Sequence, residues 1–187
     1  MEQQNAKRLF DIFFSLIALL IFIIPITIII FVIKIFERKE IIFYQERIGK
    51  NKIPFRILKF QTLINEHPTK LGGILRKTGL DELPQFINVF KGDMSIIGPR
   101  ALTINDIKRL NWDSDYYQFR WSVKPGISGY AQIFGGQNKR TSLFWDKKYV
   151  DKNNLRTDFC IIFVSFLMNI FGKRRIRRLI WQKKDLK

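Results

Sequence analysis

Residues 12–33, from Ile12-Phe13-Phe14-Ser15-Leu16 to Ile29-Ile30-Phe31-Val32-Ile33, contain no charged side chain. A helix rises about 1.5 Å per residue, so this run reaches ~33 Å, which matches a bilayer core of ~30 Å. It is too long for the core of a signal peptide, and no small-residue cleavage site follows it. The run therefore predicts a membrane element. Pro25 lies in its middle, where it deletes the hydrogen bond to the Ile21 carbonyl and pushes its ring into that turn, so a bend is expected. Lys7 and Arg8 flank one end, and Lys34, Arg38 and Lys39 flank the other. A spanning helix normally carries its basic bias on one side. Two basic ends suit a segment that enters, turns and leaves by the same leaflet, while a kinked single-pass helix remains the alternative at this point.

The rest of the chain is unlike this run. Over all 187 residues there are 33 Lys and Arg against 16 Asp and Glu, a net charge of +17. The single cysteine and single histidine exclude an internal disulfide and a Cys/His zinc cluster. With 47% apolar and 14% aromatic residues the chain can bury a core, which argues against disorder. From Ile41 onward the pattern is that of a mixed, basic domain. Ile42-Phe43-Tyr44 and Phe55 to Phe60 read as short extended runs. Asn65 to Gly73 reads as a polar loop, and helices are expected over 81–90 and 106–120. Gly126 to Asn138 reads as irregular, and the apolar run 159–171 is too short to cross a bilayer. The stretch from Gly172 to Lys184 mixes bases with Leu179, Ile180 and Trp181. It suits an interfacial helix on anionic lipid, with nucleic-acid binding as the competing reading of so basic a chain.

Few residues here can do chemistry. His67 precedes Pro68 in the polar loop and reads as a surface residue, and Cys160 in its apolar run reads as a buried, inert thiol. Carboxylates remain. The densest cluster is Arg76-Lys77-Thr78-Gly79-Leu80-Asp81-Glu82, at an expected helix start. A helix N-terminus favours anions and keeps a carboxylate ionised, as a nucleophile or an Mg²⁺ ligand requires. The competing reading is structural: Thr78-x-x-Asp81 resembles a capping box. A second cluster, Lys91-Gly92-Asp93 to Gly98-Pro99-Arg100, ends in a tight turn that would aim Arg100, whose guanidinium suits a phosphate.

The run Asp81-Glu82-Leu83-Pro84-Gln85-Phe86-Ile87-Asn88-Val89-Phe90-Lys91-Gly92-Asp93-Met94-Ser95-Ile96-Ile97-Gly98-Pro99-Arg100 resembles the signature of the bacterial sugar transferases, the monotopic phosphoglycosyl transferases of polyprenyl phosphate. Lys7-Arg8-x-Phe10-Asp11, Lys59-Phe60, Lys124-Pro125-Gly126-Ile127-Ser128-Gly129-Tyr130-Ala131-Gln132 and Trp145-x-x-Lys148 match in order, so the resemblance covers essentially the whole chain. Its length resembles that of the small, minimal-domain members. The chain departs from the pattern at Ile24 (usually Ser), Gln61 (usually Arg) and Ala101 (usually Pro), and an arginine usual near Gly135-Gly136-Gln137-Asn138 is absent.

The resemblance implies a reaction: a sugar 1-phosphate passes from a UDP-sugar to undecaprenyl phosphate and UMP leaves, the first membrane step of glycoconjugate or polysaccharide synthesis. By resemblance Asp81 is the nucleophile of a covalent phosphosugar intermediate and Glu82 completes the catalytic pair. Lys59, Arg76 and Arg100 contact phosphates, Arg120 contacts substrate, and Mg²⁺ assists with Asp81 as its protein ligand. UDP-sugars are cytoplasmic, so the family's re-entrant membrane helix favours the same-leaflet reading. The expected fold is α/β, mostly helical with few short strands. It is a membrane-embedded, monotopic fold with an N-terminal re-entrant helix bent at Pro25 and interfacial amphipathic helices. Residues 1–40 would form the membrane helix with its flanks. Residues 41–187 would form the catalytic domain with a basic C-terminal interfacial segment, on the cytoplasmic face of the bacterial inner membrane. Inner-membrane lipid is an implied partner, nucleic acid is not, and a homodimer is left open. The alternative is a non-enzymatic membrane adaptor whose basic domain binds anionic lipid.

Overall fold

The computed structural model describes residues 2–134 and 139–182. It is mostly helical with a few short strands, as expected. Its contacts divide it into two compact units, Glu2–Arg47 with Pro54–Ile96, and Ile48–Ile53 with Ile97 onward.

The first unit begins with α1 (Glu2–Ile21) and α2 (Ile23–Val32), followed by a π-turn over Ile33–Glu37. The two helices break at Phe22 and are bent by 58°. The bend was expected at Pro25, but it falls one turn earlier. The proline cannot donate to the Ile21 carbonyl and its ring crowds that carbonyl, so the helix yields there and Pro25 sits in the first turn of α2. With Ile24 before the proline, the hydroxyl near the break comes from Thr27, which donates to the Ile23 carbonyl at 2.8 Å. No single helix among the described residues is long and apolar enough to cross a membrane; the bent pair passes that test only together.

Strands β1 (Ile42–Ile48) and β2 (Pro54–Phe60) contain the extended runs expected at 42–44 and 55–60, and they pair with each other. The stretch read as a polar loop is ordered. Strands β3 (Leu63–Ile64) and β4 (His67–Pro68) form an antiparallel hairpin, and α3 covers Lys70–Thr78. The side chain of Thr69 caps α3 by accepting from the Gly72 N–H at 2.8 Å. Gly79, with φ 76°, ends α3 in the left-handed conformation. A 3₁₀ turn, Leu80–Glu82, leads to α4 (Gln85–Lys91) and the start of β5 (Ser95–Ile97). The expected helix over 81–90 is therefore split: Asp81 and Glu82 belong to the 3₁₀ turn, and α4 begins only after Pro84, which has no N–H to continue that turn. The capping-box reading of Thr78 fails as well, since its hydroxyl donates back to the Ile74 and Leu75 carbonyls at 2.9 and 3.1 Å.

Two sets of contacts hold this unit together. Ile29 and Ile33 from the N-terminal pair share a core with Phe60, Leu75 and Leu83, flanked by Leu80 and Phe86. At the other end of the pair, the Arg8 guanidinium donates to the Val89 and Phe90 carbonyls at 2.7 and 2.6 Å, satisfying the last turn of α4. Buried Asp11 accepts from the Ser95 hydroxyl at 2.9 Å and the Ile96 N–H at 3.0 Å, and pairs with Lys7 at 3.3 Å. Lys7, Arg8 and Asp11 thus bind α1 to the segment after the carboxylates.

The second unit contains α5 (Ile104–Leu110), a 3₁₀ stretch (Asp115–Ser122), β6 (Gly126–Ser128), α6 (Tyr130–Ile133), α7 (Lys139–Asp151), α8 (Leu155–Phe171) and α9 (Lys173–Gln182). The helix expected over 106–120 is two pieces. A Thr103/Asp106 capping box starts α5, and left-handed Asn111 stops it. The stretch expected to be irregular from Gly126 includes β6 and α6, and its residues 135–138 lie outside the described residues. On α8, Phe159, Phe163, Phe166 and Ile170 are exposed at helical spacing. Cys160, expected to be buried, is also exposed on this helix. The basic tail forms α9, with Ile176 buried and the Arg177 Nε donating to the Ile133 carbonyl at 2.7 Å.

Candidate active site

In the first unit, Asp81 and Glu82 sit on the short turn that leaves α3, with Leu80 and Leu83 on either side packed into the core beneath α2. The carboxylates are therefore carried at a fixed distance from the N-terminal helix pair. Lys59, near the end of β2, reaches across to them. Its Nζ lies 2.5 Å from Glu82 Oε1, and both side chains are half-buried. Arg76 is exposed on the last turn of α3 and is close enough to Asp81 to lower its pKa.

The electrostatics of Asp81 differ from the expectation of a carboxylate stabilised by a helix N-terminus. Its pKa is raised from the ordinary value, first by burial and second by the charge of Glu82 beside it; Lys59, the Asp81 backbone N–H and Arg76 pull it back down. The site is a pair of crowded carboxylates held by two cations. Such a group is more basic than a free aspartate and still surrounded by positive charge, which suits attack on a phosphoryl centre.

The same geometry fits a magnesium ion. Among the described residues no three metal-ligating side chains cluster. Mg²⁺ is normally held by one or two carboxylates together with substrate phosphates and water, so a closed protein cage is not needed. The mutual repulsion of Asp81 and Glu82 is the excess negative charge that a cation would neutralise.

Asn88, which sequence reading passed over, fixes Lys59. Its Oδ1 accepts from the Leu58 N–H at 3.0 Å, and its Nδ2 donates to the Arg56 carbonyl at 2.8 Å and to Asp93 Oδ2 at 3.1 Å. Buried Asn88 thereby clamps α4 to the strand that carries Lys59. An amide among the apolar residues Ile87, Val89 and Phe90 was the signal available, since a buried amide has to satisfy its donors and acceptor locally.

Arg100 and Arg120 lie in the second unit. The Arg100 side chain is exposed at the end of the Gly98-Pro99 turn. Arg120 is 3% exposed; its Nε donates to Asp146 Oδ2 at 2.8 Å, and a second guanidinium nitrogen donates to the Arg100 carbonyl. Burial pushes the Asp146 carboxyl up, and the guanidinium pulls it back.

The family model described as bacterial sugar transferase matches residues 2–172. The chain belongs to the bacterial sugar transferases. This bacterial sugar transferase is 32% identical over 189 residues to the UDP-N-acetylgalactosamine-undecaprenyl-phosphate N-acetylgalactosaminephosphotransferase of Aeromonas hydrophila, covering 90% of this chain and 45% of that protein. It is 31% identical over 188 residues to the UDP-glucose:undecaprenyl-phosphate glucose-1-phosphate transferase of Escherichia coli strain K12, covering 89% of this chain and 40% of that protein. Against the uncharacterized sugar transferase EpsL of Bacillus subtilis it is 35% identical over 155 residues, covering 76% of this chain and 73% of that protein. The chain spans about half the length of the first of these relatives.

Proposed function

We propose that this protein transfers a sugar 1-phosphate from a UDP-sugar to undecaprenyl phosphate at a membrane surface. The observation that carries the reading is the Asp81 environment: a half-buried, raised carboxylate beside Glu82, faced by Lys59 and Arg76. The names of the Aeromonas and Escherichia relatives support the substrate classes.

In the reaction, the ionised Asp81 carboxylate attacks the phosphorus that bears the sugar. A phosphorus–oxygen bond to Asp81 forms as the bond to the bridging oxygen breaks, and UMP leaves. The phosphate oxygen of undecaprenyl phosphate then attacks the same phosphorus and releases Asp81. Glu82 holds Lys59 in place and keeps Asp81 basic. Lys59 and Arg76 bring positive charge to the diphosphate, and Arg100 supplies a further phosphate contact. Phosphoryl transfer depends chiefly on positioning and charge neutralisation, which these residues supply. Bound Mg²⁺, with Asp81 as its protein ligand, would add charge neutralisation on the diphosphate oxygens. Splitting the transfer in two lets a soluble nucleotide and a long lipid use one site in turn.

The same reading places the bent pair as a re-entrant element in the cytoplasmic leaflet of the bacterial inner membrane. Arg8, near the start of the pair, is bonded to α4, and Ile29 and Ile33, near its end, pack against Leu75 and Leu83. Both ends are thus held by one compact unit. A spanning helix would carry its ends to opposite sides of a core ~30 Å thick. The exposed apolar residues of the pair, including Phe13, Leu20, Ile24, Ile28 and Phe31, face lipid in this reading. The phenylalanine stripe of α8 and the bases of α9 lie at the headgroups.

The test is UMP release by the detergent-solubilised protein, screened over UDP-sugars with Mg²⁺ and undecaprenyl phosphate. We expect turnover with at least one UDP-sugar and none in Asp81→Asn, which still binds membranes. Normal turnover in Asp81→Asn would refute the mechanism, and membrane binding without turnover on any UDP-sugar would favour the adaptor.

A further inference from the structure

The backbone of the Gly98-Pro99-Arg100 turn is fixed at successive residues. The Gly98 N–H donates to the Ser128 carbonyl at 2.9 Å, and the Pro99 carbonyl accepts from the Gly126 N–H at 2.9 Å. Arg100 and Gly126 form a parallel bridge. There is no slack between these strands: a Cβ on Gly98 would lie 2.3 Å from the Lys124 carbonyl oxygen, and one on Gly126 would lie 2.0 Å from the Gly98 nitrogen. After the turn, Ala101 has no ring to restrain the chain. At that point the Arg100 carbonyl accepts from the Arg120 guanidinium.

Arg100 and Arg120 are opposite in setting. The Arg100 side chain is exposed. Arg120 and Asp146 form an ion pair in which both side chains are 2% exposed. The guanidinium carbon also lies 5.4 Å from the Trp112 ring centroid and 4.9 Å from that of Trp121. Burying two charges is costly unless their geometry is closely satisfied. Here the planar fork satisfies Asp146 and a backbone carbonyl at once, which a lysine ammonium on a flexible stem cannot reproduce.

We infer that Arg120, locked by Asp146 between Trp112 and Trp121, is a positioning residue that fixes the direction of Arg100 toward a substrate phosphate and does not itself touch substrate. The inference rests on the proposed reaction and assigns Arg120 a different part in it.

The test is a double-mutant cycle on kcat/KM for the UDP-sugar and on UMP inhibition. Loss of a charge-assisted phosphate contact in Arg100→Ala should lower kcat/KM about 10- to 100-fold. Arg120→Lys should lower it by less and raise the UMP inhibition constant. In the Arg100→Ala background, Arg120→Lys should then add almost nothing. Arg120→Met combined with Asp146→Leu removes both buried charges at similar volume, and it should behave like Arg120→Lys in both backgrounds if the lysine variant does not fold. Losses that multiply in the double variant would overturn the inference, because Arg120 would be acting independently of Arg100. Wild-type kinetics in folded Arg120→Lys or in Arg100→Ala would overturn it as well. The reaction itself is read separately, by UMP release in the wild-type protein and its loss in Asp81→Asn.

Discussion

Asp11 is one carboxylate whose contribution can be worked out from its contacts. Its Oδ1 accepts from the Ser95 hydroxyl at 2.9 Å and the Ile96 N–H at 3.0 Å, and Lys7 lies 3.3 Å away. Asp11 and Ser95 are each 2% exposed and Ile96 is 8% exposed, so water cannot replace the lost acceptor. Asp11→Ala takes the acceptor from the buried Ile96 N–H, at about 1–3 kcal/mol for a donor left unsatisfied, and one partner from the Ser95 hydroxyl, a loss of roughly 2–4 kcal/mol together. For a chain of this size about 1 kcal/mol moves the melting temperature by about 2–4 °C, so the variant should melt roughly 10 °C lower. Asp11→Asn keeps an oxygen acceptor for both donors and loses only the charge, so it should lose about 1–2 kcal/mol. The assay is the fraction of detergent-solubilised protein that stays monodisperse after stepped heating, read by size-exclusion chromatography. Equal losses for Asn and Ala, or none for Ala, would refute the claim that these hydrogen bonds bind α1 to the catalytic segment.

Further outcomes follow from other contacts. The raised pKa of Asp81 means its carboxylate is lost as pH falls through that raised value, giving kcat/KM an acid limb above the usual carboxylate range. Glu82→Gln removes a raising charge and should move the limb to lower pH; Lys59→Met removes a lowering one and should move it to higher pH. The same sign makes the ionised form the disfavoured one in the fold, with stability lost as pH rises through the raised value. Asp81→Asn should therefore melt at or above the wild-type temperature at neutral pH, and a marked fall would contradict this. Gly72 and Gly73 are neighbours in α3 with opposite surroundings. A Cβ on Gly72 would meet the Thr62 carbonyl oxygen at 2.1 Å, and one on Gly73 meets nothing within 4 Å. Gly72→Ala should destabilise by about 1–3 kcal/mol and Gly73→Ala should stabilise by about 0.5–1 kcal/mol, both read by thermal unfolding. Finally, in a Cys160→Ser background, single cysteines at Gln4 and Glu40 should label from the same cytoplasmic side. Labelling from opposite sides would mean a spanning helix.

Much of this was legible in the sequence where one physical signal dominated. The uncharged run 12–33 and Pro25 gave a bent helix pair, because an imino acid in an apolar helix leaves few other outcomes. The extended runs at 42–44 and 55–60 were visible in their β-branched and aromatic residues, while the extension of β1 through Ile48 was not. The helix boundaries around the site were not. The expected helix start at Asp81 is a separate 3₁₀ turn, α4 begins only after Pro84, and α3 before left-handed Gly79 fell partly on a stretch read as a polar loop. The apolar character of the run 159–171 put Cys160 inside, whereas α8 leaves Phe159, Cys160 and Phe163 exposed. Lys7 and Arg8 were legible as charge near a membrane segment. The bonds of Arg8 to the end of α4, and of Asp11 to Ser95 and Ile96, join positions roughly eighty residues apart, which no local pattern encodes. The pairing of Arg120 with Asp146 was hidden in the same way.

The measurement that bears most directly on the mechanism is the mass of the protein after incubation with a reactive UDP-sugar and Mg²⁺ in the absence of undecaprenyl phosphate. The mechanism predicts UMP release of at most one equivalent per chain and a gain of one sugar phosphate on the peptide containing Asp81. Adding undecaprenyl phosphate should discharge the adduct, and Asp81→Asn should not form it. UMP release that requires both substrates together, with no mass added to that peptide, would contradict it.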